Sequence, residues 1–206
     1  MPWIDLNHWE RASTYAFYRD FEDPWLNLVT DVDVTDAWLW CRQEGRRFSL
    51  RVWYAVHAAA EAEPAFRMRA RAEGVWLHEE VQVGATVLRP DRSFTYAYFQ
   101  NHPTFDAFEA DAIDTIARRM HEPSMVPQDA TDAMIYCTAV PWVRFTGLKH
   151  PRSGDPKDTV PRVAVGKVTE LEGRWRMPIS VEAHHALVDG VHVGAFLAAF
   201  ERAIRP

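Results

Sequence analysis

Apolar positions along this chain recur with two periods, one typical of helices and one typical of strands. The helical period predicts α-helices over 9–20, 35–45, 48–62, 103–120 and 191–204. Segment 48–62 is apolar on more than one side, which is typical of a well-buried helix packed against a sheet. The Asp189-Gly190 step precedes the last helix and predicts a turn there.

The period of two predicts strands over 25–34, 66–70, 75–78, 81–88, 94–99, 134–145, 161–170 and 174–185. Pro141 interrupts one strand, and Glu172-Gly173 turns the last two into a hairpin. Segments 122–132 and 149–158 are predicted loops. Because helices and strands are interspersed without a strict βαβ repeat, the predicted fold class is α/β, a two-layer sandwich whose mixed, largely antiparallel sheet is covered by helices. Residues 1–206 form a single predicted domain, since no repeat or boundary interrupts the pattern.

Composition narrows the function classes more than it narrows the fold. Of the 206 residues, 48% are hydrophobic and 25% are charged, as in a folded globular protein. The formal net charge of -6 lacks the basic excess of a nucleic-acid-binding protein. Cys41 and Cys137 are too few for a disulfide framework or a cysteine metal site. With no signal-peptide pattern and no apolar run of membrane-spanning length, we expect a cytoplasmic protein without a membrane partner.

The strongest candidate chemistry lies in the stretch 183–194. His184 and His185 stand five and four residues before Asp189, and Gly190 follows at once. An imidazole beside a hydroxyl substrate can take its proton, so acyl transfer with a histidine base is the first interpretation. Alternation along a strand puts the two histidines on opposite faces, so we expect only one of them to act as a base.

Other interpretations of the same stretch remain open. A metal site would use His184, His185, Asp189 and His192, although neighbouring strand histidines point apart and no cysteine is nearby. A structural role is another, because histidine pairs and Asp-Gly turns also occur by chance. Nucleophilic serine or cysteine catalysis lacks its sequence signature in this chain.

The stretch 184–194 resembles the signature of the type A chloramphenicol acetyltransferases. Further segments match in the family's order, namely Trp9-Glu10-Arg11, Phe17-Tyr18-Arg19, Phe66-Arg67-Met68, Val75-Trp76 and the Pro-Trp-Val part of 138–145. The resemblance covers nearly the whole chain. It implies the chloramphenicol acetyltransferase-like fold of CoA-dependent acyltransferases, acetyl-CoA as co-substrate and chloramphenicol as acceptor. It also implies that no metal is needed and that the protein is a homotrimer with active sites at subunit interfaces.

The resemblance further implies roles for individual residues. His185 is the general base, and Asp189 is structural, acting on Arg11 and on the loop. Thr138 takes the place of the serine whose hydroxyl steadies the tetrahedral oxyanion. The remaining matches lie at or near the substrate pockets, with Tyr18 and Phe94 on the acceptor side and Trp142 and Lys167 on the CoA side.

Three departures from the family's pattern concern the acceptor. Tyr136-Cys137 replaces an asparagine and a small or aliphatic residue, Glu182 stands where glutamine is common, and Ala164 stands where threonine is common. These changes alter the polar lining of the acceptor pocket, so acetyl transfer is better supported than chloramphenicol as its target. The alternatives are a different small alcohol or amine as acceptor, and an inactive relative that binds CoA or another ligand.

Overall fold

The computed structural model describes residues 2–122, 131–152, 154–155 and 157–206. Its helices are α1 (Ala12–Tyr18), α2 (Thr35–Gln43), α3 (Phe48–Ala62), α4 (Phe105–His121) and α5 (Gly190–Ala203). Its strands are β1 (Trp25–Asp33), β2 (Met68–Arg71), β3 (Gly74–Leu77), β4 (Gln82–Leu88), β5 (Phe94–Phe99), β6 (Met134–Val140), β7 (Arg162–Gly166), β8 (Thr169–Leu171) and β9 (Arg174–His184).

One seven-stranded sheet organises these elements. Its strand order is β1-β9-β7-β6-β4-β5, and β8 also pairs with β9. Four pairings are antiparallel, and the two that join β4 to β6 and β6 to β7 are parallel. Strands β2 and β3 form a separate antiparallel pair. The predicted α/β architecture with a mixed, largely antiparallel sheet is therefore confirmed.

The helix-covered side of the sheet forms the apolar core. Along β6 the inward residues Ile135 and Cys137 are 0% and 3% exposed, as the period of two requires. Helices α3 and α5 pack against each other and close this core. Phe66 and Phe196 stack there with ring centroids 4.2 Å apart. Burying each such aromatic side chain contributes about 1.5–3 kcal/mol to the free energy of folding.

The opposite side of the same sheet is aromatic and polar. Tyr136 on β6 pairs with Gly84 on β4 and with Arg162 on β7, and Arg162 pairs with Glu182 on β9. Residues paired across strands point to the same face, so this row stands away from the core. Tyr136 is 38% exposed there, in contrast to its buried neighbours along the strand.

The structure corrects several predicted boundaries. Residues 66–70 do not begin as a strand, because Pro64 and the Glu63 side chain, which accepts the Ala65 amide at 3.2 Å, start a short 3₁₀ helix over Pro64–Arg67. Strand β6 ends at Val140, since Pro141 has no N–H to extend the ladder. The predicted helix 9–20 is shorter, forming only over Ala12–Tyr18. Most of the predicted loop 122–132 lies outside the described residues.

No helix in the described part of the chain is long and apolar enough to cross a membrane. Both cysteines are free and buried. The single domain over residues 1–206 stays a prediction.

A buried histidine in the core makes folding sensitive to acid. His57 lies on α3 with 1% of its surface exposed and packs edge to face against Phe108, with ring centroids 5.6 Å apart. Burial lowers the pKa of His57 from 6.5 to about 4. The folded state therefore holds this imidazole neutral at a pH where the unfolded chain protonates it.

We predict that the unfolding free energy falls as pH drops from about 6.5 to about 4. In this window the unfolded state binds one more proton at His57 than the folded state, a loss of up to about 1.4 kcal/mol per pH unit. Urea unfolding gives the unfolding free energy at pH 7 and at pH 5. The difference between these two values should be smaller for His57→Leu than for the wild type. The surface variant His8→Asn is the control, and an equal pH dependence in all three proteins would contradict the prediction.

Candidate active site

The segment between the longest strand and the last helix positions the candidate base. Strand β9 ends at His184, so His185 lies one residue beyond the strand in which it was predicted. The His185 amide donates to the Pro24 carbonyl at 2.7 Å, and the amides of Leu187 and Val188 both donate to the His184 carbonyl. Leu187 and Val188 are each 1% exposed. The backbone that carries His185 is therefore anchored on both sides.

The surroundings of the His185 ring fix its tautomer. Nδ1 lies 3.2 Å from the Val188 carbonyl oxygen and 3.0 Å from Oδ1 of Asp189. Both oxygens can only accept hydrogen bonds, so Nδ1 carries a hydrogen and the neutral imidazole has its lone pair on Nε2. The ring stacks on Tyr18, with centroids 4.3 Å apart and an interplanar angle of 17°. With 30% of the side chain exposed, this imidazole can accept a proton from a bound hydroxyl group.

Arg11 and Asp189 form the ion pair that was expected from the resemblance. Nη1 of Arg11 donates to Oδ2 of Asp189, and Nη2 donates to Oδ1 at 3.2 Å and to the His185 carbonyl at 3.4 Å. The hydrogen bond from Arg11 holds the pKa of the Asp189 carboxyl below its usual value. Asp189 is therefore ionised, and it contacts the His185 ring as well as Arg11, which the sequence interpretation did not expect. The Asp189 amide donates to Nδ1 of His192 at 3.0 Å, so His192 caps α5.

His184 occupies a different environment from its neighbour. It is 4% exposed and packs edge to face against Trp25, with ring centroids 5.6 Å apart. Its Nδ1 accepts the Ala186 amide at 3.3 Å. Burial, and then the charge of Arg152, lower the pKa of His184 to about 4, so the ring stays neutral and packs. Across the described residues, no group of three or more His, Cys, Asp or Glu side chains is arranged to hold a metal ion.

Thr138 lies in a cleft on the aromatic side of the sheet. Its Oγ1 is 2.9 Å from Oγ1 of Thr86 on the neighbouring strand. The cleft has a volume of about 450 Å³, which suits a small organic ligand. Aromatic and hydrogen-bonding side chains line it, chiefly Thr86, Phe94, Tyr96, Tyr98, Tyr136, Thr138, His150 and Arg162. Phe94 is 40% exposed and contacts Tyr96 edge to face.

The two residues predicted on the CoA side lie in neighbouring surface segments. Trp142 follows β6 and is 64% exposed. The Lys167 amide donates to the Val143 carbonyl at 2.9 Å, which holds the segments of Trp142 and Lys167 together. Neither side chain lies among the residues that line the aromatic cleft.

The strand register separates the predicted base from the predicted oxyanion donor within one chain. Thr138 pairs with Ala164, and Ala164 pairs with Ser180, four residues before His184. At about 3.3 Å per residue along a strand and about 4.8 Å between strands, the Cα atoms of Thr138 and His184 are roughly 16 Å apart. The structure therefore groups Arg11, Tyr18, His185 and Asp189 at one place and Thr138 and Phe94 at another.

A buried charged cluster of Glu182, His150 and Arg152 lies on the aromatic and polar side of the sheet. Sequence reasoning did not predict this cluster. Glu182 is 1% exposed and accepts hydrogen bonds from the His150 amide at 2.7 Å, from His150 Nδ1 at 2.8 Å and from Arg152 at 2.6 Å. Burial alone would raise the pKa of Glu182, but these hydrogen bonds lower it to about 2. His150 and Arg152 come from a segment whose composition predicted only a loop, so no local signal pointed to them. The alternation Phe94, Tyr96, Tyr98 on β5 could have indicated the aromatic wall.

Known proteins resemble the chain over nearly its whole length. A family model described as chloramphenicol acetyltransferase matches residues 1–201. Chloramphenicol acetyltransferase 2 of Haemophilus influenzae is 25% identical over 196 residues, which covers 94% of this chain and 92% of that protein. The chloramphenicol acetyltransferase of Streptomyces acrimycini is 28% identical over 194 residues, covering 92% and 87%. A solved structure of a chloramphenicol acetyltransferase has a TM-score of 0.85 at 27% identity and covers 98% of both chains. The fold of that family, predicted from the sequence, is therefore confirmed.

We predict that Arg11→Ala lowers the unfolding free energy at pH 7 by about 2 kcal/mol, because the partly buried Asp189 carboxylate loses its partner. The exposed variant Arg19→Ala should change it by less than about 0.5 kcal/mol. Because the pKa of Asp189 is lowered in the folded state, this stabilisation is present above the ordinary aspartate pKa and is lost as pH falls through the folded value. Urea unfolding of both variants at pH 7 tests the prediction, and equal effects would count against it.

Proposed function

Given that the chain belongs to the chloramphenicol acetyltransferase family, we propose that it transfers the acetyl group of acetyl-CoA to the primary hydroxyl of chloramphenicol. Membership confirms the family and the acyltransferase class that the sequence predicted. The observation that carries the proposal is the fixed tautomer of His185, whose Nδ1 faces only acceptor oxygens at 3.2 Å and 3.0 Å. Direct attack by an alcohol requires a base with a free lone pair, and in this tautomer His185 has one on Nε2.

The proposed reaction uses His185 as the base and Thr138 as the oxyanion donor. His185 Nε2 takes the proton as the hydroxyl oxygen attacks the thioester carbonyl carbon. The resulting tetrahedral oxyanion accepts a hydrogen bond from Thr138. Collapse of the oxyanion breaks the carbon–sulfur bond, and the CoA thiolate takes the proton back from the imidazolium. Asp189 and the Val188 carbonyl stabilise that imidazolium through Nδ1.

The size of each effect is consistent with a direct transfer. General base catalysis contributes about 10²- to 10⁴-fold to the rate. An oxyanion donor contributes about 10²- to 10³-fold. Holding the hydroxyl and the thioester in line supplies much of the rest, since oriented groups react as if at very high concentration.

We place the acceptor in the aromatic cleft and CoA beside Trp142 and Lys167. Phe94 lies in the cleft wall and Tyr18 stacks on His185, which suits their proposed contact with the acceptor. The cleft also contains Tyr136 and His150, the latter held by Glu182, and this polar lining favours a second candidate function, acetylation of another small alcohol or amine. We also propose that residues 1–206 act as one domain in the cytoplasm, where acetyl-CoA is available.

We further propose that each active site combines two copies of the chain within a homotrimer. His185 and Thr138 of one copy are too far apart to act on the same carbonyl group, so the base of one subunit would face the cleft of its neighbour. Exposed apolar residues lie beside the base, since Phe17 is 63% exposed and Phe21 is 46% exposed, and both contact the Tyr18 ring. A neighbouring subunit that covered them would remove this apolar surface from water.

We predict that CoA is released from acetyl-CoA only when chloramphenicol is added, as measured with a thiol reagent. His185→Ala should lower this turnover by at least about 10²-fold, the lower end of what a general base contributes. His121→Ala, at the exposed end of α4, is the matched control and should retain full activity.

The outcomes separate the parts of the proposal. Absence of chloramphenicol-dependent release, with release on another alcohol or amine in an acceptor screen, would replace chloramphenicol by that acceptor. Tight CoA binding without turnover on any acceptor would indicate an inactive relative. Near-normal turnover of folded His185→Ala would refute the mechanism.

We predict that His185→Ala and Thr138→Ala subunits restore activity to each other when they are coexpressed. In a cyclic homo-oligomer mixed at random, about a quarter of the interfaces would combine an intact His185 with an intact Thr138. Each variant expressed alone is the control. Recovery no greater than that of either variant alone would indicate that both residues act from one chain and would overturn the shared site.

A further inference from the structure

The Thr86 hydroxyl contacts the Thr138 hydroxyl, and sequence reasoning did not single out Thr86. The two residues lie on adjacent parallel strands, one step beyond the pairing of Ala85 with Cys137. Their Oγ1 atoms are 2.9 Å apart, within hydrogen-bond distance, and both side chains line the aromatic cleft. Either hydroxyl can be the donor in this geometry.

The direction of this hydrogen bond matters for the proposed chemistry. A hydroxyl group has one hydrogen to donate and two lone pairs to accept with. If Thr138 donates to Thr86, it has no hydrogen left for an oxyanion. If Thr86 donates to Thr138, the Thr138 hydrogen is free for the oxyanion, and the accepted bond polarises it and makes it a stronger donor.

The other neighbour of Thr138 offers no hydroxyl. On the β7 side Thr138 pairs with Ala164, whose side chain carries no hydroxyl. Among the described residues, the hydroxyl contact recorded for Thr138 therefore comes from β4. The β-branched side chain of Thr138 also restricts its χ1 angle, so its hydroxyl oxygen has a defined place in which to meet Thr86.

We propose that Thr86 is a positioning residue that donates to Thr138 and thereby directs the Thr138 hydrogen to the tetrahedral oxyanion. This inference rests on the proposed acetyl transfer. Thr86 itself does not touch the reacting atoms in this arrangement. It acts in the transition state, where negative charge develops on the oxygen, and its loss lowers kcat without weakening the binding of either substrate.

The test compares Thr86→Val, which keeps the shape and removes the hydroxyl, with Thr86→Ser, which keeps the hydroxyl. Steady-state kinetics with acetyl-CoA and chloramphenicol should give a kcat about tenfold lower for Thr86→Val, with both KM values within about twofold of wild type. Thr86→Ser should recover most of the rate. Thr30→Val, on the exposed part of β1, is the matched control for a threonine lost from a strand.

A double-mutant cycle separates positioning from a structural role. In a Thr138→Ala background, Thr86→Val should change kcat by less than about twofold, because its target is gone. Multiplicative losses in the double variant would overturn the inference, and so would a normal kcat for Thr86→Val. A loss in Thr86→Val that Thr86→Ser does not restore would also overturn it. A lower melting temperature with an unchanged kcat would assign Thr86 a structural role only.

The wild-type measurement distinguishes failure of this inference from failure of the proposed function. Wild-type protein without transfer to chloramphenicol or to any acceptor screened would overturn the proposed function and this inference together. Normal wild-type turnover that Thr138→Ala leaves unchanged would remove the oxyanion assignment and this inference, while acetyl transfer itself would stand.

Discussion

The contact of His185 Nδ1 with two acceptor oxygens is the constraint on which the site depends. One of these oxygens belongs to the Val188 carbonyl within the same turn, and the other belongs to Asp189, which Arg11 holds from 178 residues away in the sequence. The imidazole proposed as the base is therefore correctly oriented only when the first helix and the last turn have come together. A buried apolar anchor, Leu187 and Val188, keeps the turn rigid while the imidazole remains accessible. This short segment therefore contributes both to the packing of the core and to the candidate site.

The second constraint is the alternation of side chains across one sheet. On β6 the residues Ile135 and Cys137 enter the core, and Tyr136 and Thr138 face the cleft. A shift of the strand by one residue would exchange these two sets, so the apolar core fixes the register that also places the Thr138 hydroxyl. The parallel pairing of β4 with β6 then sets Thr86 beside Thr138. Packing on one face thus determines hydrogen-bond geometry on the other.

The sequence predicts the parts of this structure that local pattern controls. Helix α3 forms over the same residues as predicted, because its apolar positions fit a helix and do not alternate as in a strand. The 3₁₀ helix that Pro64 and the Glu63 cap begin was missed. Its residues Phe66 and Arg67 also fit the alternating pattern of a strand, and that pattern was followed. Within the site, His185 and Asp189 lie in one short stretch of sequence, but their direct contact was not expected. Arg11 came only from resemblance to a family. The Thr86 contact depends on strand order and register, which no local pattern specifies.

The Glu182 cluster illustrates how an acidic residue can occupy a buried position on this sheet. A buried carboxylate costs several kcal/mol to desolvate unless donors surround it. His150 and Arg152 supply them, through one main-chain and two side-chain hydrogen bonds. The charge therefore holds residues 150–152 against the sheet, and His150 becomes part of the cleft wall. The ionised Glu182 accepts a hydrogen bond from His150 Nδ1, which fixes the orientation of the imidazole ring. Glu182 thus orients a side chain of the cleft wall although it does not itself line the cleft. Under the proposed placement of the acceptor in this cleft, acceptor choice depends on a buried ion cluster as well as on the aromatic wall.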